Sequence, residues 1–189
     1  TINTSLDSDA IAFILVHGNA KMVFVDPEFN DVLYKALDKI PKNKRPIIIR
    51  CDDDEFIQDE QFKDELTNND LEEIGNSNSP ITWPEDEWES CSLNYTSGTT
   101  GDPKGVVYHH RGAWLTSISN QMVWSMGKHP VYLWTLPMFH CNGWCFPWTV
   151  TALAGTHICL RKIDAQSIYE SIETNKVTHL CGAPIILSM

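Results

Sequence analysis

Short apolar runs and helical stripes alternate along the chain. Residues 29–40 carry Val32, Leu33, Ala36, Leu37 and Ile40 at helical spacing, which predicts one apolar helix face. On either side, residues 21–25 and 46–49 are short, largely β-branched runs, the pattern of buried strands. Asp7 or Ser8 is placed to cap an earlier helix reaching about residue 16, with Gly18 to stop it. Helix, strand, helix, strand predicts an α/β fold with parallel-type sheets flanked by helices.

The second half repeats the alternation. Extended residues 106–108 lead into a helix over 111–126, closed by Gly127 and Pro130. A strand over 131–136, an apolar helix over 146–153, a strand over 156–160, a helix from Asp164 to about residue 174 and a strand over 177–180 follow. The pattern fades only between residues 52 and 91. Residues 52–73 hold eleven acids against one base, Lys63, and a short helix over 58–66 is the one element expected there. Residues 75–91 form a polar, proline-bearing connector. The expected organisation is therefore 1–74 as a first α/β portion, 75–91 as the connector, and 92–189 as a second portion.

Composition narrows the function. The chain has 189 residues, enough for one sizeable domain with a real core. Its net charge of −11, from 14 basic and 25 acidic residues, disfavours a nucleic-acid partner, whose phosphates need positive surface. No continuous membrane span or secretory leader is visible, and the six cysteines form no Cys-x-x-Cys pair. Reduced, mostly buried thiols in the cytoplasm are expected. The chain opens on Thr1 and closes on an apolar helix start, so a segment of something longer is expected.

One stretch concentrates chemistry. Between Tyr95 and Val106, Thr96, Ser97, Thr99 and Thr100 place four hydroxyls in five positions. Gly98, Gly101 and Gly105 free the backbone to bend or approach a ligand, and Lys104 adds a point charge with three donors. Hydroxyls, bare amides and an ammonium suit an anionic phosphate chain. The Walker pattern fails, because Pro103 stands where its second glycine belongs, and the Gly-x-Gly dinucleotide pattern fails too. A plain polar surface turn is the alternative.

Later residues are more ambiguous. His109 and His110 invite a metal, but no third ligand sits at a known spacing, and helix-start polar residues are the simpler reading. Arg111 is a candidate contact for the loop or its anion. His140 stands at a strand end, where parallel sheets bind ligands, beside Phe139 and Trp144. It reads either as a core histidine or as a pocket wall with Trp144. A zinc set of His140, Cys141 and Cys145 fits no template, and no metal ligand is assigned. Gly182 and Ala183 read either as turn residues or as a pocket border.

The run Thr96-Ser97-Gly98-Thr99-Thr100-Gly101-Asp102-Pro103-Lys104-Gly105 resembles, without a break, the phosphate-binding signature of the AMP-forming acyl-CoA synthetases, in the adenylate-forming ligase superfamily. The resemblance covers nearly the whole chain and is most specific over residues 93–184. The run from Tyr132 to His140, followed by Asn142-Gly143-Trp144, is similar to the short- and medium-chain CoA ligase branch.

The resemblance implies part of the N-terminal domain of an adenylate-forming enzyme, with the C-terminal domain absent. It implies ATP-dependent activation of a fatty or small carboxylic acid to an acyl-adenylate, then transfer to coenzyme A, with AMP, pyrophosphate and Mg2+ involved. Residues 96–104 would then hold the β- and γ-phosphates. Lys104 would neutralise them or order the loop, and His140, Trp144, Gly182 and Ala183 would line the acid's site. No catalytic residue is assigned. The family's magnesium-binding glutamate motif, its ribose-binding aspartate and its C-terminal lysine are not found in this sequence. The segment is expected to be inactive alone and to self-associate through exposed sheet edges. A peroxisomal location is the alternative in a eukaryote. The competing functions are another adenylating enzyme such as a carrier-protein-loading domain, a non-catalytic nucleotide-binding fragment, and a P-loop phosphotransferase.

Overall fold

The structure, a computed structural model, describes residues 1–51, 53, 65–96 and 103–188. The chain divides into two compact units. One comprises residues 2–84 and 95–106; the other comprises Thr1, residues 85–94 and the chain from Val107 onward.

In the first unit, α1 (Ser8–His17) begins where the Asp7 side chain accepts the Ala10 N–H at 2.9 Å, and it ends at Gly18. Strand β1 (Met22–Val25) leads through α2 (Asn30–Leu37) to β2 (Ile47–Arg50), which pairs parallel to β1 from Met22↔Ile47 to Val25↔Arg50. Two parallel neighbours joined through a helix form a βαβ crossover. The apolar faces of α1 and α2 meet in one core, in which Ile11, Leu15, Leu33, Ala36, Leu37 and Ile40 are buried beside Val25. Each fully buried aliphatic side chain there contributes about 1.5–3 kcal/mol.

The acidic stretch differs from expectation at its C-terminal end. Leu66 closes no helix. It starts β3 (Leu66–Thr67), a two-residue strand parallel to β2, and α3 (Asn68–Ile74) follows at once. Thr67 and Asp70 form a reciprocal capping box, with the Asp70 carboxylate accepting the Thr67 N–H at 2.7 Å. The remainder of the helix expected over 58–66 lies outside the described residues.

In the second unit, β6 (Val131–Trp134) is the centre of a parallel sheet, flanked by β7 (Thr156–Cys159) and β8 (His179–Leu180). Tyr132, Leu133 and Trp134 are buried, as a central strand requires. The helices are α4 (His110–Val123), the one-turn α5 (Cys141–Trp144), α6 (Phe146–Ala152), α7 (Ala165–Asn175) and α8 (Pro184–Leu187). Asp164 caps α7 by accepting the Ser167 N–H at 2.9 Å. Gly155 is fixed by space, since a Cβ there would stand 2.6 Å from the Pro130 carbonyl oxygen. Strands β4 (Ser90–Thr96) and β5 (Lys104–His109) pair as a separate two-stranded sheet. Among the described residues, no helix is long and apolar enough to cross a membrane. The fold is α/β with parallel sheets flanked by helices, as the patterning predicts.

Candidate functional site

The hydroxyl- and glycine-rich loop begins at Thr96, the last residue of β4, and returns at Lys104, the first of β5. Both are exposed. Because these strands are hydrogen-bonded neighbours, the loop joins strand to strand, whereas a Walker loop joins strand to helix. Ser97, Gly98, Thr99, Thr100, Gly101 and Asp102 lie outside the described residues. The strand end before them is tethered within its own unit: the Tyr95 hydroxyl and His17 Nδ1 share a 2.7 Å hydrogen bond. Phe13 stacks on His17 at 5.2 Å and presents an edge to Tyr95 at 6.4 Å.

The start of α4 resolves the paired histidines. His109 is the N-cap, its Nδ1 accepting the Gly112 N–H at 2.9 Å, and its ring lies 4.8 Å from that of Trp88. Arg111 forms an ion pair with Glu87 and sits 5.7 Å above the Trp88 ring. Its charge is engaged by the connector, which removes the main reason to assign it to a bound anion.

The most unusual backbone follows β6. Cys141, Asn142, Gly143, Trp144 and Cys145 have φ of +47°, +45°, +59°, +55° and +63°, so α5 is a left-handed turn. Consecutive left-handed L-residues cost about 1–2 kcal/mol each. Packing must therefore hold the turn. A Cβ on Gly143 would meet the Trp134 ring at 2.9 Å, so the backbone rests directly on the indole. Trp134 is itself fixed: its Nε1 donates to His157 Nδ1 at 3.0 Å. That leaves His157 Nε2 carrying the proton, which it directs at Thr151 Oγ1, 3.2 Å away. Burial pushes the His157 pKa down and favours this neutral form.

Against this turn lies a cavity of about 510 Å³ within the second unit. The end of β5 gives Val107, Tyr108 and His109. Helix α4 gives Gly112, Ala113, Thr116 and Asn120, with Trp124 just beyond it. The turn and α6 give Cys141, Trp144, Cys145 and Phe146, and Cys181 follows β8. Among the described residues, no Asp, Glu, Lys or Arg lines it. Burial raises the pKa of Cys145 and Cys181, and burial with the neighbouring Cys141 and Cys145 raises that of Tyr108. These groups stay neutral near pH 7.

Of the residues singled out from sequence, His109, Cys141, Trp144 and Cys145 line the cavity. His140 is exposed, with its ring 6.4 Å from Trp144 and perpendicular to it. This overturns the core-histidine reading. Gly182 and Ala183 follow Cys181, which is the lining residue of that turn. The thiols are less buried than expected: Cys145 is buried, whereas Cys141 and Cys159 are exposed. The α4 contribution was missed, although Gly112, Thr116, Asn120 and Trp124 recur every fourth residue and so share a helix face. That four-residue spacing was the available signal.

The chain belongs to the AMP-binding enzyme family, which matches it over residues 1–189. It is 43% identical over 196 residues to a peroxisomal acetate/butyrate–CoA ligase, AAE7, of Arabidopsis thaliana, covering 99% of this chain and 34% of the ligase. It is 44% identical over 201 residues to a peroxisomal trans-cinnamate:CoA ligase of Petunia hybrida, covering all (100%) of this chain and 35% of that enzyme. The chain thus spans about a third of the length of the curated relatives it matches. In fold it is similar to the inhibitor-bound N-terminal domain of FACL13 from Mycobacterium tuberculosis, with TM-score 0.77, 23% identity, and coverage of 99% of this chain and 44% of that one. An anthranilate CoA ligase, AuaEII, in complex with anthranoyl-AMP gives TM-score 0.74 at 24% identity, covering 98% of this chain and 35% of the other.

Proposed function

We propose that this chain supplies the phosphate loop and part of the acyl pocket of an AMP-forming acyl-CoA synthetase. The observation that carries the reading is the hydroxyl, glycine and lysine loop suspended between paired β4 and β5 in a member of the AMP-binding family. Its hydroxyls and amides would hold the β- and γ-phosphates of ATP, with Lys104 offsetting their charge. A carboxylate then attacks the α-phosphorus, pyrophosphate leaves, and coenzyme A displaces AMP to give the thioester. Charge builds on phosphoryl oxygens throughout, so fixed donors supply most of what these residues contribute.

The residues assigned to the phosphates are those from Thr96 to Lys104. His140, Trp144, Gly182 and Ala183 are assigned to the acid. Among the described residues no group of His, Cys, Asp or Glu could hold a metal ion, so Mg2+ would enter with the phosphates. The compartment proposed is the cytoplasm, or the peroxisome in a eukaryote, the compartment printed for two relatives. The relatives' own acids run from acetate to trans-cinnamate and leave the substrate open.

The test uses the complete protein. Acid-dependent exchange of pyrophosphate into ATP and release of AMP are expected, and Lys104→Ala and Thr99→Ala are each expected to lower turnover at least tenfold. Formation of ADP, or unchanged rates in both variants, would remove the loop from the chemistry.

A further inference from the structure

The cavity of the second unit differs in character from a site for a small acid. Its volume is about 510 Å³. The methyl of an acetyl group is about the size of one water, whose share of liquid is about 30 Å³, so acetate would leave the space nearly empty. Pockets of this volume bury ligands of many heavy atoms.

The walls specify more than size. Tyr108, Trp124, Trp144 and Phe146 all face the cavity. Phe146 is buried, and Trp124 meets it edge-on at 5.4 Å. Both tryptophans remain open, at 43% and 53% exposure. Open ring faces around a cavity are what a flat ring covers, in stacked or edge-to-face geometry. On the α4 side Gly112, Ala113, Thr116 and Asn120 line the cavity; Gly112 adds no side chain and Ala113 only a methyl, which leaves depth for such a ring beside them. Among the described residues no Asp, Glu, Lys or Arg lies on the wall, so a second carboxylate on the tail would meet no Lys or Arg there and an ammonium no carboxylate.

We propose that this cavity receives an uncharged aromatic acyl tail, so that the enzyme activates aryl or arylalkenyl carboxylic acids in preference to acetate, with Ala113 setting the depth available. The proposal rests on the ligase reading above, in which this cavity belongs to the acyl pocket. The neutral Tyr108 phenol and the neutral Cys145 and Cys181 thiols suit the same occupant, since none brings charge to the wall.

The experiment measures AMP release by the complete enzyme with acetate, butyrate, octanoate, trans-cinnamate, phenylalanine and succinate as the acids. kcat/KM for trans-cinnamate is expected to exceed that for acetate by about 100-fold or more, with phenylalanine and succinate near background. Ala113→Leu should lower the cinnamate-to-butyrate ratio about tenfold or more, with thermal melting to establish that the variant folds. Acetate or octanoate used as well as cinnamate by the unsubstituted enzyme would overturn the proposal while leaving the ligase reading intact. Efficient use of succinate or phenylalanine would do the same. Absence of AMP with every acid would defeat the ligase reading itself, and this proposal with it.

Discussion

The side-chain amide of Asn120 donates to the main-chain carbonyl of Trp144 at 3.0 Å, and to Thr149 Oγ1 at 3.2 Å. One amide on α4 thereby ties the left-handed turn to the first turns of α6. Thr149 in turn donates to the Cys145 carbonyl at 3.0 Å, so the turn's last residue is held as well. The strain of the turn is offset by these bonds and by the Trp134 ring beneath Gly143.

Removing the amide should release the turn. Asn120→Ala is expected to cost about 1–3 kcal/mol of stability, for two hydrogen bonds of about 0.5–1.5 kcal/mol each. Asn120→Asp should cost more, because a carboxylate sets acceptors against the Trp144 carbonyl. In the complete enzyme, KM for the acid should rise while KM for ATP stays within about twofold. Denaturant unfolding and steady-state kinetics read both, and an unchanged midpoint for Asn120→Asp would show that the amide holds nothing.

The tether before the phosphate loop makes a separate prediction. Tyr95→Phe keeps the ring packed against Phe13 and removes only the hydroxyl bonded to His17. A lost bond of about 1 kcal/mol corresponds to roughly a fivefold change in an equilibrium constant. KM for ATP should therefore rise several-fold, and the acid's KM should not move. Equal shifts in both would assign the tether to general stability.

Stability should respond to acid in two windows. In the folded chain the His157 pKa lies below its ordinary value, so the unfolded chain binds the proton more readily. Stability from the neutral ring is complete above about pH 6.5 and is lost as pH falls through the lowered folded pKa. Asp70 and Asp164 lie below the usual carboxylate range, because Thr67 and Ser167 respectively hydrogen-bond to them. Their contribution is lost only as pH falls below about 4. A melting series from pH 7.5 to 3 should show both losses, and His157→Gln should flatten the upper one alone. A variant curve parallel to that of the parent between pH 6.5 and 5 would rule out His157 as the source.

The α/β alternation was legible because each buried face repeats with the period of its own element, as in α2 and β6. The caps at Asp7 and Asp164 were legible because a short side-chain acceptor before an apolar run has few other uses. What escaped lacks a local signal. Strand β3 is two residues long and exists through its pairing with β2. The left-handed turn has permissive residues only at Asn142 and Gly143; Cys141, Trp144 and Cys145 adopt it because Trp134 and Asn120, distant in sequence, hold it there. Most of the cavity wall depends on the same long-range packing, so Trp144 alone of its residues was read in advance as a pocket wall, while His109, Cys141 and Cys145 were weighed only as metal ligands.

Tyr132 gives a prediction in the opposite direction. It is fully buried in β6, with its ring stacked on Phe146 at 4.9 Å and meeting Trp134 edge-on at 5.0 Å. Among the described residues its hydroxyl finds no hydrogen-bond partner, and burial drives the phenol pKa far upward. A buried hydroxyl without a partner costs about 1–3 kcal/mol in proteins. Tyr132→Phe keeps both ring contacts and removes the stranded group. It should raise the unfolding free energy by about 1 kcal/mol, read from the denaturant midpoint at an unchanged slope. A loss of similar size would mean that the hydroxyl has a partner in solution, and an internal water beside Cys181 would be the first place to look.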